Sequence, residues 1–382
     1  MNTAKINIDS IPAKRRTDFH KSRFPQIQAL RGLAALLVVT QHIRFLGQGA
    51  FGVDIFFCIS GFMIMLTTYQ DTKAFFRKRL IRILPFYYLM TIGTFLLLVC
   101  FPSLFEQTKA SVSQLFKSLL FIPFDMGNGV IQPLLRIGWT VNCEMFFYLI
   151  FWISFHISHK YRGIVCSGIL FVLVGAGALI TGGASFDGMA SVFLANNPSA
   201  LWAPVLFYAD PIMLEFALGI LCYEVARWLY ENLGNLKLNV SMSSDKSAGS
   251  GKLPGIISLG ISLALLLLLY VTYPHVNVLG YRRVLLWGLP CFLVVLLFFH
   301  AGLYLSMPAW CVRLGDISYS IYLIHYYPVL FLDRKIFDFS TLRPASVLGM
   351  LIAFGIVLFL SYICWYLMEN KFTKFLRKRF IQ

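Results

Sequence analysis

The sequence is broken, almost from end to end, into apolar stretches about as long as a bilayer is thick, and nothing else in it limits the fold so tightly. A hydrocarbon core of about 30 Å takes roughly 20 helical residues to cross. Stretches of that kind fall near 27–46, 51–70, 82–101, 138–157, 162–182, 210–229, 254–273, 283–304, 317–332 and 345–367. The ninth is short, and the sixth contains Glu215 and Glu224. They predict an all-α polytopic membrane protein with about ten transmembrane helices. Residues 113–123 are too few to span and suit a re-entrant or surface helix. No polar stretch is long enough for a soluble domain, and the Ser- and Gly-rich segment 237–252 is expected to be a flexible loop. No internal repeat is visible. The expected organisation is a basic N-terminal tail over 1–26, one transmembrane domain over 27–367 and a basic C-terminal tail over 368–382.

The net charge of +16 raises nucleic acid as a partner. The basic residues lie between the apolar stretches and not on a soluble face, which argues against it. Composition points the same way: 58% of residues are hydrophobic and 13% charged, whereas about a quarter of a soluble domain is charged. The basic residues instead report orientation. An even number of spans puts both ends on one side. The N-tail, the loops near 71–82, 158–162, 230–253 and 305–316 and the C-tail carry about 22 Lys and Arg, against about 9 in the opposite loops. By the positive-inside rule both termini are expected in the cytoplasm. The first apolar run has no small-residue cleavage site, so the first span is expected to be retained. Most of the eight cysteines lie in apolar runs and none forms a CxxC pair. They suit small buried hydrophobes, and neither a disulfide framework nor a metal site is expected.

Several ionisable residues interrupt the apolar runs. Arg31 and His42 are eleven positions apart, about three helical turns, so both share one face of the first span, roughly 16 Å apart along its axis. Such groups are costly in lipid unless they line a cavity or meet a partner. With the orientation above, His42 lies toward the outer end of the first span and Asp54 near the outer start of the second. Glu144 lies about 9 Å inside the outer end of the fourth. His42, Asp54 and Glu144 therefore share one level if the spans adjoin. A histidine beside a carboxylate suits a general base with an orienting partner. A structural buried ion pair explains the same spacing.

On the cytoplasmic side, Arg79 and Arg82 share a face at the start of the third span. Guanidinium forks match phosphate oxygens, and positive-inside anchoring on lipid phosphate accounts for such clusters equally well. Ser318, Tyr322 and His325 fall at helical spacing and give the ninth span a polar stripe, which interhelical hydrogen bonding could also explain. These groups leave two function classes open. One is an enzyme working within the bilayer. The other is a secondary transporter with a proton relay, against which stand the lack of matched halves and the position of Arg79 and Arg82 at the membrane face.

Five stretches, in order, carry a likeness: Ile27–Gly32 with His42, Gly52–Phe62, Arg79–Pro85, Trp139–Tyr148 and Gly315–His325. Together they resemble the acyltransferase-3 family of membrane acyltransferases, in particular those that O-acetylate bacterial surface polysaccharides, with the exopolysaccharide-production type the nearest likeness. The resemblance implies a ten-helix domain in the bacterial inner membrane. It implies transfer of an acetyl group from cytoplasmic acetyl-CoA, the donor substrate, to a carbohydrate hydroxyl at the outer side. By the same likeness His42 is the catalytic histidine, Arg31 its paired arginine on the donor's path, and Arg79 and Arg82 the donor-binding Arg-x-x-Arg. Glu144 is the acidic residue after the tryptophan, and it or Asp54 would orient His42. Ser60, Ser318, Tyr322 and His325 are candidates to line the passage. Direct transfer and an acetyl-histidine intermediate are both compatible with this pattern. Asn142 and Cys143, and the lack of a proline after Glu369, depart from many relatives.

Overall fold

A computed structural model describes residues 19, 23–44, 46–69, 74–102, 111–125, 131–180, 201–241, 252–272, 280–337 and 343–381. Its elements are α1 (Pro25–Gln41), α2 (Gly52–Thr67), α3 (Phe75–Cys100) and α4 (Val112–Leu119). A two-stranded hairpin comes next, β1 (Phe124–Asp125) with β2 (Ile131–Gln132), antiparallel with Phe124 opposite Gln132. Then come α5 (Trp139–Ile157), α6 (Arg162–Ile180), α7 (Trp202–Tyr208), α8 (Leu214–Ser241) and α9 (Leu253–Thr272). The chain continues through α10 (Tyr281–Gly302), α11 (Ala309–Asp316), α12 (Ser318–Ile324) and α13 (Tyr326–Leu332). The last helix, α14 (Pro344–Phe380), takes a π-helical path over Trp365–Phe372.

The protein is a multi-pass, all-α membrane protein, with fewer full-length spans among its described residues than the ten expected. Six helices are long and apolar enough to cross a membrane, or seven if the bent pair α7 and α8 is one span. That pair is bent by 43° at Asp210-Pro211. Asp210 caps the turn after it by accepting from the Ile212 amide at 2.8 Å, and a residue before proline is held out of the helical region. The expected spans 27–46, 51–70 and 317–332 are shorter helices: α1 has 17 residues, α2 has 16, and α12 and α13 have 7 each. Burial explains the shortness. Twelve of the sixteen residues of α2 are buried, while the crossing windows of α6, α9 and α14 are only 28% buried. A helix enclosed by other helices need not match the hydrocarbon thickness, because protein and not lipid satisfies its ends. The end of α1 shows how: Gln41 Oε1 accepts from the amides of Gly49 (3.0 Å) and Ala50 (3.1 Å), closing the turn into α2.

The expected flexible loop 237–252 is helical up to Ser241, and 242–251 lie outside the described residues. Residues 113–123 form the short helix α4 and the turn after it. Most of the N-terminal tail lies outside the described residues. The C-terminal segment from 368 continues α14 as helix to Phe380.

Two glycines set the central crossing. A Cβ on Gly61 of α2 would sit 2.2 Å from the Phe216 carbonyl oxygen, and one on Gly219 of α8 would sit 2.1 Å from the Cys58 oxygen. Small residues of this kind let buried helices meet backbone to backbone where apolar side chains gain nothing over lipid. Gly219→Leu is therefore expected to lose most of the folded material, since a branched side chain must separate two backbones. Overpacking alone costs about 1–3 kcal/mol, and here neither backbone can yield. Gly168→Leu on α6, where a Cβ meets nothing within 4 Å, is the control. Size-exclusion yield and melting temperature in detergent measure both, and equal behaviour would refute the crossing.

Candidate active site

Arg31 on α1, Ser60 on α2, Thr140 and Glu144 on α5, and Tyr319 and Tyr322 on α12 line one small cavity of about 50 Å³ between these helices. Helical period brings them to one face: Phe56 and Ser60, and Thr140 and Glu144, are four apart, and Tyr319 and Tyr322 three apart. Ser60 Oγ donates to Glu144 Oε1 at 3.3 Å, and the Tyr148 hydroxyl donates to the same oxygen. Tyr322 is fixed at both lone pair and proton: Thr140 Oγ1 donates to it at 2.7 Å, and it donates to the Ile137 carbonyl at 3.0 Å. Arg31 lies within electrostatic reach of Arg82, Glu144 and Glu369. The lining thus mixes these polar groups with the apolar Val53, Phe56 and Phe57.

A wider basin of about 620 Å³ is lined by Thr67, Lys78, Arg79, Arg82, Arg377 and Lys378. Arg79 ties the basin to the cavity. Its guanidinium lies 5.2 Å from the Tyr148 ring centre and 5.7 Å from that of Phe75, and Nη2 donates to Thr67 Oγ1 at 2.9 Å. Since Tyr148 bonds Glu144, a continuous polar seam runs from Arg79 through Tyr148 to the cavity wall.

His42 caps the end of α1. His42 Nδ1 lies 3.1 Å from the Val38 carbonyl and 3.1 Å from His325 Nε2. His325 Nδ1 lies 2.7 Å from the Tyr322 carbonyl. A carbonyl can only accept, so the neutral His325 carries its proton on Nδ1 and leaves Nε2 as an acceptor. His42 therefore carries its proton on Nδ1, shared between two acceptors, and among the described residues its Nε2 lone pair meets no hydrogen-bond donor. That is the tautomer a general base needs. Tyr326 meets the His42 ring edge-on, with centroids 5.3 Å apart.

His42, Asp54 and Glu144, expected to share a level, each meet different partners. Glu144 belongs with Arg31 and the Arg79 seam, and the hydrogen bonds of the His42 ring go to Val38 and His325. The start of α5 lies inside the protein, where Leu135 and Ile137 are buried and Tyr322 bonds Ile137. Asp54, fully buried, is gripped by Arg283 of α10, Nε to Oδ1 at 3.1 Å and Nη2 to Oδ2 at 2.8 Å. Ser318 is buried, and among the described residues its hydroxyl has no hydrogen-bond partner. Of the residues expected to line a passage, Ser60 and Tyr322 line this cavity, and His325 instead supports His42.

Sequence reasoning missed Tyr148, Arg283, Glu369 and Arg377. Ser320 Oγ donates to Glu369 at 2.6 Å. The spacing of Glu144 and Tyr148, one turn apart, was the only local signal; the other three meet their partners across spans.

A model of an acyltransferase domain matches residues 24–367. The exopolysaccharide production protein ExoZ of Rhizobium meliloti is 30% identical over 291 residues, covering 74% of this chain and 77% of that protein. The peptidoglycan O-acetyltransferase OatA of Listeria monocytogenes is 31% identical over 160 residues, covering 37% of this chain and 25% of that protein. No solved structure matches.

Proposed function

Because the chain belongs to the acyltransferase-3 family, we propose that it moves an acetyl group from acetyl-CoA to a hydroxyl of a surface polysaccharide or a lipid-linked sugar. The observation that carries this reading is the polar seam Arg79–Tyr148–Glu144, which joins a basic basin to a cavity lined by Arg31 of α1, the helix that ends in His42.

Arg79 and Arg82 bind donor phosphate at the cytoplasmic mouth. The pantetheine arm, about 15–20 Å long when extended, passes Arg31 and Glu144 toward the histidine pair. His42 Nε2 accepts the proton of the sugar hydroxyl as its oxygen attacks the thioester carbonyl. The C–O bond forms, the C–S bond breaks, and the proton passes to the departing thiolate, giving the acetyl ester and free CoA. His325 holds the His42 ring in the basic tautomer. In this reading the protein lies in a bacterial cytoplasmic membrane with both termini in the cytoplasm, so a cytosolic thioester meets an outward-facing alcohol across the bilayer.

The test is direct: proteoliposomes of the purified protein, given acetyl-labelled acetyl-CoA and surface polysaccharide, acquire label that mild base releases. No label in sugar, with any acceptor preparation, would reject the reading. Arg79→Ala and Arg82→Ala are each expected to raise the donor KM about tenfold, the worth of one charge-assisted hydrogen bond, with kcat much less affected. Steady-state kinetics at fixed acceptor checks this.

A further inference from the structure

Arg79 and Arg82 are half-buried members of their basin, tied to the groups beneath it. Arg79 is stacked on Tyr148 and bonded to Thr67. Arg82 lies within electrostatic reach of Arg31 and Glu369, on the inner side. The other end of the chain adds Arg377 and Lys378 of α14, both exposed, to the lining of the same basin. Arg79, Arg82 and Arg377 line the same basin and Arg377 lies within electrostatic reach of both other arginines, so the three guanidinium groups share a common space. Like charges held together in this way call for an anion between them.

The path of α14 fits that arrangement. Its π-helical stretch Trp365–Phe372 inserts extra residues into the helix and rotates the final turns relative to the span before them, a device frequent at functional sites. Thr373 Oγ1 donates to the Met368 carbonyl at 2.9 Å, five residues back, and steadies the wider turn. Within the stretch, Glu369 is pinned by Ser320 of α12. The final turns then pack against α3, which carries Arg79 and Arg82.

We infer that Arg377 and Lys378 form a second, outer phosphate subsite, specific for the 3′-phosphate of the donor's adenosine end. This rests on acyl-CoA being the donor. In that molecule the pantetheine arm joins the pyrophosphate, and the 3′-phosphate lies beyond it on the ribose. The pyrophosphate therefore falls to the inner pair, Arg79 and Arg82, and the 3′-phosphate to the outer pair. The basic, partly apolar end of α14, with Phe375 and Phe380 exposed, could also rest on anionic lipid headgroups, which offer the same phosphate chemistry.

Binding of acetyl-CoA and of 3′-dephospho-acetyl-CoA to the purified full chain in detergent separates these cases. Wild type is expected to bind acetyl-CoA at least tenfold more tightly than the dephospho form. Arg377→Gln/Lys378→Gln is expected to lose that preference, weakening for acetyl-CoA while its affinity for the dephospho form stays put. Lys374→Gln, exposed and outside the basin, should keep it. Equal binding of the two donors by wild type, or a preference preserved in the double variant, overturns the subsite. So does a double variant that loses only its retention of phosphatidylglycerol vesicles. If wild type binds neither donor, the donor reading itself has failed, and the subsite with it.

Discussion

Alanine at His42 is expected to lower acetyl transfer by about 10²–10⁴-fold, the usual worth of a positioned general base, while the protein still folds. His42 caps α1 at its end and is not part of the packed core, so its loss removes a proton acceptor and little packing. The tautomer of His42 sharpens this expectation. With His325 Nδ1 donating to Tyr322, and Val38 and His325 both accepting from His42 Nδ1, the working atom is Nε2. His325 touches no reacting group in this arrangement and is a positioning residue. His325→Ala removes one of two acceptors that fix the ring. It should cost kcat about tenfold, one neutral hydrogen bond's worth, and leave the donor KM unchanged. His325→Asn, which can offer an amide oxygen at a similar place, should recover part of the loss. Single-turnover and steady-state assays on reconstituted protein distinguish these outcomes. Full activity in His42→Ala would remove the base from its post, and a His325→Asn as slow as His325→Ala would reduce His325 to packing.

The sequence was most legible where a single helix carries the information. Arg31 and His42 share a face of α1 because the helical period says so, and the stripe on Ser318, Tyr322 and His325 comes from the same rule. What those groups meet was not legible, because partners come from other spans. His325 pairs with His42 across 283 positions, and Arg283 with Asp54 across 229. Apolar length also misled in a definable way. It measures what lipid would require of an isolated helix, whereas α1, α2 and α12 are enclosed and can be shorter. Composition likewise gives the last residues the look of a loose basic tail; their docking depends on Glu369, Ser320 and the π-helical turns, none of which composition reports.

The other large effect is expected at Asp54. A carboxylate with no exposure, held bidentately by a guanidinium whose side chain is 18% exposed, is the kind of pair whose rupture costs more than its deletion. Removing one partner strands a buried charge, at about 3–5 kcal/mol, whereas replacing both by apolar groups of similar volume is often neutral or stabilising. Asp54→Leu and Arg283→Met should each lower the melting temperature in detergent sharply. Arg283→Met is expected to be the worse, because Asp54 then faces the buried carboxylate of Glu215 without its cation. The double variant Asp54→Leu/Arg283→Met should regain most of the lost stability. The same cycle decides whether Asp54 belongs to the chemistry. If its work is to hold α2 to α10, transfer activity returns with stability in the double variant. If Asp54 acts on the reacting groups, the double variant folds and stays inactive, and the ion pair is then a catalytic feature after all.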